Sequence, residues 1–423
     1  MARMTLQLPS ALAALLFACA PAHAANISIS CGAVGIEFEL CREAADAWAE
    51  RTGNTVTVVS TPNSATERLA LYQQLLSAGA ADIDVFQIDV IWPGILANHF
   101  IDLSPYTDGV EAEHFEAIVE NNTVGGELKA MPWYTDAGVL YYRADLLEKH
   151  GHDVPETWTD LTETARAVMA AERAEGADGM WGFVYQGRAY EGLTCNALEW
   201  IDAFGADPIV TADGEIAVND PRAVEALRLA ASWVDDIAPP GVLNYAEEEA
   251  RGVFQSGNAV FMRNWPYAWA LAQSEDSPIR DKVGVAPLPR GAGEDGRHTG
   301  TLGGWNLAVS RYSAHPEEAA DLVMHLVSPE NQKDRAIRAA YNPTIAALYE
   351  DPEVLAATPF FGELYDTFVN AVARPSRVTG PAYNRVSAAF WEAVHAAKSG
   401  RMPADEALAA LDEELAGIRR RGW

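Results

Sequence analysis

The chain has 423 residues, 49% of them hydrophobic, and its 30 basic and 60 acidic residues give a formal net charge of −30. A field of that sign repels polyanions, so neither nucleic acid nor an anionic membrane surface is expected as a partner. At roughly 100 to 200 residues per domain, the length provides for two or three domains with ample core.

Residues 1–24 read as a signal peptide. Arg3 is the only charge before ALAALLFACA (11–20), an apolar run too short to span a bilayer, and AHA (22–24) sets small residues where a signal peptidase cuts. The mature chain is expected to begin near Ala25 and to be periplasmic. Cys19 leaves lipid anchoring as the alternative, which Phe17 and the lack of a flexible tether disfavour. Cys31, Cys41 and Cys195 follow, too few for a disulfide framework in a chain of this size; a Cys31–Cys41 bond is left open.

Strands and helices then alternate. NISISCG (26–32) is strand-like, EFELCREAADAWAERTG (37–53) is helical with Gly53 as its stop, and NTVTVVSTP (54–62) is a β-branched strand. SATERLALYQQLLSAGA (64–80) is a second helix, opened by Ser64 and Glu67 in S-x-x-E spacing, and IDVFQID (83–89) is a third strand with a buried look. A βαβαβ order predicts a parallel sheet with helices on both faces and a ligand beyond the strands' carboxyl ends. Glu37, Arg68 and Asp89 lie at or just after those ends.

A second αβ region covers DAGVLYYRADLLEKHG (136–151), a helix after Pro155 and Thr157, and the strand MWGFVYQG (180–187). Further helices run to about residue 275, followed by KVGVAPLPRGAGEDGRHTG (282–300), the strand TLGGWNLAVS (301–310) and the amphipathic helix SAHPEEAADLVMHLVS (313–328). The P-loop, nucleophile-elbow, H-E-x-x-H and paired C-x-x-C patterns are all missing. HGH (150–152) falls at a helix end and reads as a solvated connection, so no metal and no cofactor is expected.

Aromatic residues stand beside isolated polar ones at Gly- and Pro-punctuated junctions: Trp133, Tyr134 and Asp136 in MPWYTDAG; Trp265, Tyr267 and Trp269 in RNWPYAW; Trp305 after Gly303 and Gly304; Arg377 and Tyr383 in PSRVTGPAY. Sugars present apolar C–H patches that stack on such rings and hydroxyl pairs that bond carboxylates and guanidinium groups. A polyamine would use the acids and rings but not Arg68 or Arg377. The paired glycines are expected to let a sugar approach the backbone and rest against Trp305.

The ordered segments FQIDVIWPG (86–94), MPWYTDAGVLYYRADLL (131–147), PETWTDL (155–161), WGFVYQGRAYEGLTCNALEW (181–200), GNAVFMRNWPYAW (257–269), GVAPLP (284–289), TLGGWNLAVS and KSGRMPADEALAAL (398–411) resemble those of extracellular solute-binding proteins of the maltose- and trehalose-binding kind, which capture sugars for ABC importers. The resemblance implies an α/β fold of the two-lobe periplasmic-binding-protein type (type II-like), each lobe a mostly parallel sheet flanked by helices. It implies lobes of residues 25–133 with 288–342 and 134–287 with 343–423, a cleft between them, and no enzymatic activity. Carried over by position, Glu37, Arg68, Asp89, Gly304 and Trp305 would line one side, Tyr134 and Asp136 the first crossing, and Trp265, Tyr267 and Arg377 the other side, with Tyr185 and Glu191 as weaker choices. The implied partners are a disaccharide or small oligosaccharide (trehalose, maltose, sucrose or another α-glucoside) and the membrane permease, with the protein itself a monomer. A polyamine receptor on the same fold is one alternative. A secreted glycoside hydrolase is another; it would need two carboxyl groups about 5 to 9 Å apart, one of them protonated, and nothing near Asp89 or Asp136 in the sequence suggests a raised pKa.

Overall fold

The structure, a computed structural model, describes residues 24–423; the expected signal peptide apart from Ala24, and Cys19 within it, lie outside the described residues. The alternation read from the sequence produces β1 (Asn26–Cys31), β2 (Thr55–Ser60) and β3 (Val85–Asp89), linked by the helices Glu37–Thr52 and Ala65–Ser77. Both neighbours of β1 run parallel to it, as two βα crossovers require. Ser64 caps its helix by accepting from the Glu67 amide at 3.4 Å, and Gly53 ends the first helix in the left-handed region at φ 76°. Thr157 and Asp160 close a full capping box at the start of Trp158–Ala174.

After the small hairpin β4 (Thr123–Val124) and β5 (Glu127–Leu128), β6 (Met131–Ala137) joins the first sheet, whose order is β2-β1-β3-β11-β6. One residue later β7 (Val139–Arg143) lies in a second sheet of order β10-β7-β9-β8, with β8 (Trp181–Val184), β9 (Ala259–Asn264) and β10 (Val283–Ala286). The chain returns through β11 (Leu302–Val309), antiparallel to both β3 and β6. The parallel pairing expected of both sheets holds for β2-β1-β3. In the second sheet it is confined to β8 and β9, because β7 runs straight in from β6 and pairs antiparallel with both β9 and β10.

The passage between sheets turns on Gly138. A Cβ there would overlap the buried Glu199–Arg263 ion pair, both of whose side chains are fully buried. Gly300 packs on the Gly138 carbonyl, and Val372 exchanges backbone bonds of 2.8 and 2.9 Å with Leu302 and Gly300, so three crossing segments lie side by side. The first sheet has apolar clusters on both faces, one with Trp48, Leu307 and Val323, the other with Tyr72, Phe86 and Trp92. The second has its own, around Trp158, Phe183, Trp200 and Trp233 on one side and Phe254, Tyr349 and Phe361 on the other. Two lobes, each with a core of its own, result. No helix among the described residues is long and apolar enough to cross a membrane.

Cys31 and Cys41 are joined by a disulfide, their Cα atoms 6.6 Å apart, which ties the end of β1 to the second turn of the next helix. The closed loop contains Glu37. Cys195 is free and buried.

Candidate functional site

Strand register assembles the first wall. Trp305 on β11 stands opposite Asp89 on β3 and opposite Tyr134 on β6, while Gly303 stands opposite Asp136. Directly opposed residues share a face of a sheet, so Asp89, Trp305 and Tyr134 form one row and Asp136 stands in the next row of the same face. Glu37 is added from the first turn of the helix after β1, where a carboxylate is favoured by the helix dipole. Its Oε1 accepts from Gln87 Nε2 at 2.6 Å and from the Tyr134 hydroxyl.

The second wall comes from the other lobe. Glu191 opens the helix Glu191–Ala203, and Trp265 and Tyr267 follow β9. Together with Tyr190, Glu247, Tyr341 and Arg374 these residues and the first wall line a cleft of ≈ 640 Å³, open mouth included.

The two walls touch. Arg374 donates to Asp89 Oδ1 at 2.9 Å and to Glu191 Oε1 at 3.0 Å, and its side chain is 2% exposed. Thr66 Oγ1 meets the Glu191 amide at 3.2 Å, and Arg188 pairs with Glu67 at 2.8 Å on the rim. Glu191 is further fixed by Ser387 at 2.8 Å and by the Tyr383 hydroxyl.

Of the residues expected here, Glu37, Asp89, Tyr134, Asp136, Trp265, Tyr267, Gly304 and Trp305 line the cavity, as does Glu191. Arg377 does not. It is exposed on the short helix Ser376–Thr379, and Arg374, three residues earlier and ahead of Pro375, takes the inward position. Arg68 stands one layer back, its guanidinium carbon 4.2 Å from the Trp305 ring centroid. Tyr185 lies in the second-lobe core, edge-on to Trp200 at 5.5 Å.

The paired glycines line the cavity and also serve the protein's own packing. A Cβ on Gly303 would come within 3.0 Å of the Trp265 ring, so the bare backbone there accommodates an indole from the other lobe. Gly304 has φ +117°, and a Cβ would lie 2.5 Å from the Tyr134 carbonyl oxygen. It permits the irregular register at Trp305 and Asn306 that turns the indole toward the cavity.

Asp136 departs from expectation as well. Burial, reinforced by the Glu37 carboxylate, pushes its carboxyl well above the usual range, and Oδ1 has no hydrogen-bond partner among the described residues. A neutral carboxyl can both donate and accept, which suits a hydroxyl. Burial likewise raises Glu247. Tyr190, Glu247 and Tyr341 escaped sequence reasoning: Glu247 begins an acidic run that reads as the first turn of a helix, and Tyr341 carries no local signal.

Two lobes joined by crossing strands, with a polar and aromatic cavity between them, define a solute-binding protein of the periplasmic type. The chain matches the family described as bacterial extracellular solute-binding protein over residues 37–333, and it belongs to that family, whose members bind solutes for ABC transporters and are not enzymes. It is 53% identical over 408 residues, 96% of each chain, to a probable ABC transporter-binding protein of Deinococcus radiodurans. It is 26% identical over 321 residues, 71% of this chain and 72% of the other, to the mannitol-binding protein of Pseudomonas aeruginosa. Among solved structures it superposes on maltose-bound MalE3 of T. maritima with a TM-score of 0.88 at 41% identity, covering 93% of this chain and 100% of that one.

Proposed function

We propose that this protein captures a disaccharide or small oligosaccharide, with α-glucosides such as maltose, trehalose or sucrose foremost, in the periplasm and delivers it to an ABC permease. The observation that carries the reading is the composition of the cavity wall. Trp265 and Trp305 come from opposite lobes as stacking faces, and Glu37, Asp89, Asp136, Glu191 and Arg374 stand between them as hydroxyl partners. The likeness to maltose-bound MalE3 supports the same class.

Capture works by closure. Asp89 and Glu191 belong to different lobes and share Arg374, so a ligand bridging the lobes favours the apposed form over a parted one. Small-angle scattering with and without saturating maltose tests this. The radius of gyration falls on binding, and an unchanged radius with bound sugar overturns capture by closure.

A further inference from the structure

The cavity poses an electrostatic problem. Five carboxyl groups and six aromatic rings line it, with Arg374 as the one cationic side chain in the wall. Carboxylates among aromatic faces are the usual cage for an organic cation, and a protein of net charge −30 concentrates cations around itself. Arg374 is committed to Asp89 and Glu191.

The rings, however, are occupied from behind. Arg68 lies 4.2 Å from the Trp305 centroid, and Arg263 lies 3.9 Å from that of Trp265. Arg335 lies 4.0 Å from Trp133, 5.0 Å from Tyr134 and 4.6 Å from Tyr341. Arg263 is neutralised by Glu199. Arg68 and Arg335 are different: neither has an ion pair among the described residues, and Nη1 and Nη2 of both are buried without a hydrogen-bond partner there. Arg68 donates only from Nε, to the Pro62 carbonyl at 3.0 Å.

We propose that Arg68 and Arg335 are specificity-determining residues that reject cationic solutes by holding positive charge, with no direct ion pair among the described residues, behind the aromatic walls of the sugar site. A ring attracts a cation through its electron-rich face. With a guanidinium on the rear face that attraction is already engaged, and a second cation on the front would stand only about 8 Å from the first, across apolar material that screens poorly. A neutral sugar stacks by dispersion and burial of C–H surface, which a charge behind the ring hardly opposes. The same guanidinium groups therefore favour a neutral polyol over an amine of equal size.

This inference rests on the sugar reading, and the experiment separates the two. Wild type, Arg68→Met, Arg335→Met and Arg68→Lys are titrated with maltose, trehalose, sucrose, choline and spermidine by calorimetry, with circular dichroism as a folding control. Wild type binds one of the sugars and neither cation. Each methionine variant moves the cation-to-sugar affinity ratio at least tenfold toward the cation, while Arg68→Lys, which keeps a charge behind Trp305, leaves choline excluded. A structural role alone would not produce rescue by lysine. Should Arg335→Met fail to fold, Arg68→Met and its lysine counterpart decide the matter. Wild type that binds a sugar but also binds choline or spermidine comparably overturns the inference, and so do folded methionine variants that bind sugar and still exclude both cations. Wild type that binds no sugar overturns the sugar reading instead.

Discussion

The guanidinium of Arg68 stacks on the indole of Trp305 at 4.2 Å, and that indole and Trp92 meet edge to face with centroids 5.4 Å apart. One ring of the cavity wall is thus braced from two directions, and its orientation is set before any ligand arrives. Trp305→Ala removes a preorganised stacking face. We expect a loss on the order of 2 kcal/mol, about a 30-fold weaker Kd, with the fold intact by circular dichroism.

Asp136 couples affinity to stability in opposite directions. Its folded pKa is raised above the unfolded value, so the folded state keeps a proton that the unfolded state releases, and stability falls as pH rises above about 4 toward the folded pKa. Asp136→Asn removes that penalty. The ligand-free variant melts higher than wild type at pH 7, while its sugar affinity drops by roughly 1 to 3 kcal/mol through loss of a carboxyl partner. Melting curves and titrations on the same preparation check both signs.

His114 gives the protein an acid-sensitive element outside the cavity wall. Its Nδ1 bonds the Thr344 hydroxyl at 2.7 Å, and burial lowers its pKa from 6.5 to about 4. The unfolded chain takes up the proton first, so this contribution is complete above about pH 6.5 and is lost as pH falls toward 4, up to about 3 kcal/mol in all. His114→Gln flattens stability across that window in denaturant titrations at a series of pH values.

The Cys31–Cys41 bond closes a short loop around Glu37, for which chain entropy gives up to about 3 kcal/mol. Replacing both cysteines by serine lowers the melting temperature and also weakens sugar binding, because the helix turn that presents Glu37 is freed. Thiol counting on unfolded, unreduced mature protein, from which Cys19 has been removed, finds Cys195 alone. In the folded protein burial pushes that thiol up to about 12, and it does not react.

The βαβαβ opening was readable because β-branched strands alternate with capped amphipathic helices, and it places Glu37 and Asp89 correctly at strand ends. Trp265 and Trp305 were readable as aromatic residues at glycine- and proline-marked junctions. The meaning of Gly303 was not, since the indole that fills its missing Cβ comes from a residue 38 positions earlier, on the other lobe. The choice between Arg374 and Arg377 was equally hidden. Both flank Pro375 and Ser376, and only the direction of the third crossing segment decides which faces the cavity. The raised carboxyl of Asp136 depends on burial and on Glu37, 99 residues away in the chain, so no local pattern announces it.

Calorimetric titration of the mature wild-type protein with maltose, trehalose and sucrose shows whether the cleft is a sugar site. At least one of them binds saturably at one ligand per chain, and that binding is lost or weakened about 30-fold in Trp305→Ala. Absence of saturable heat with all three, or equal affinity in wild type and the folded Trp305→Ala variant, would contradict that assignment.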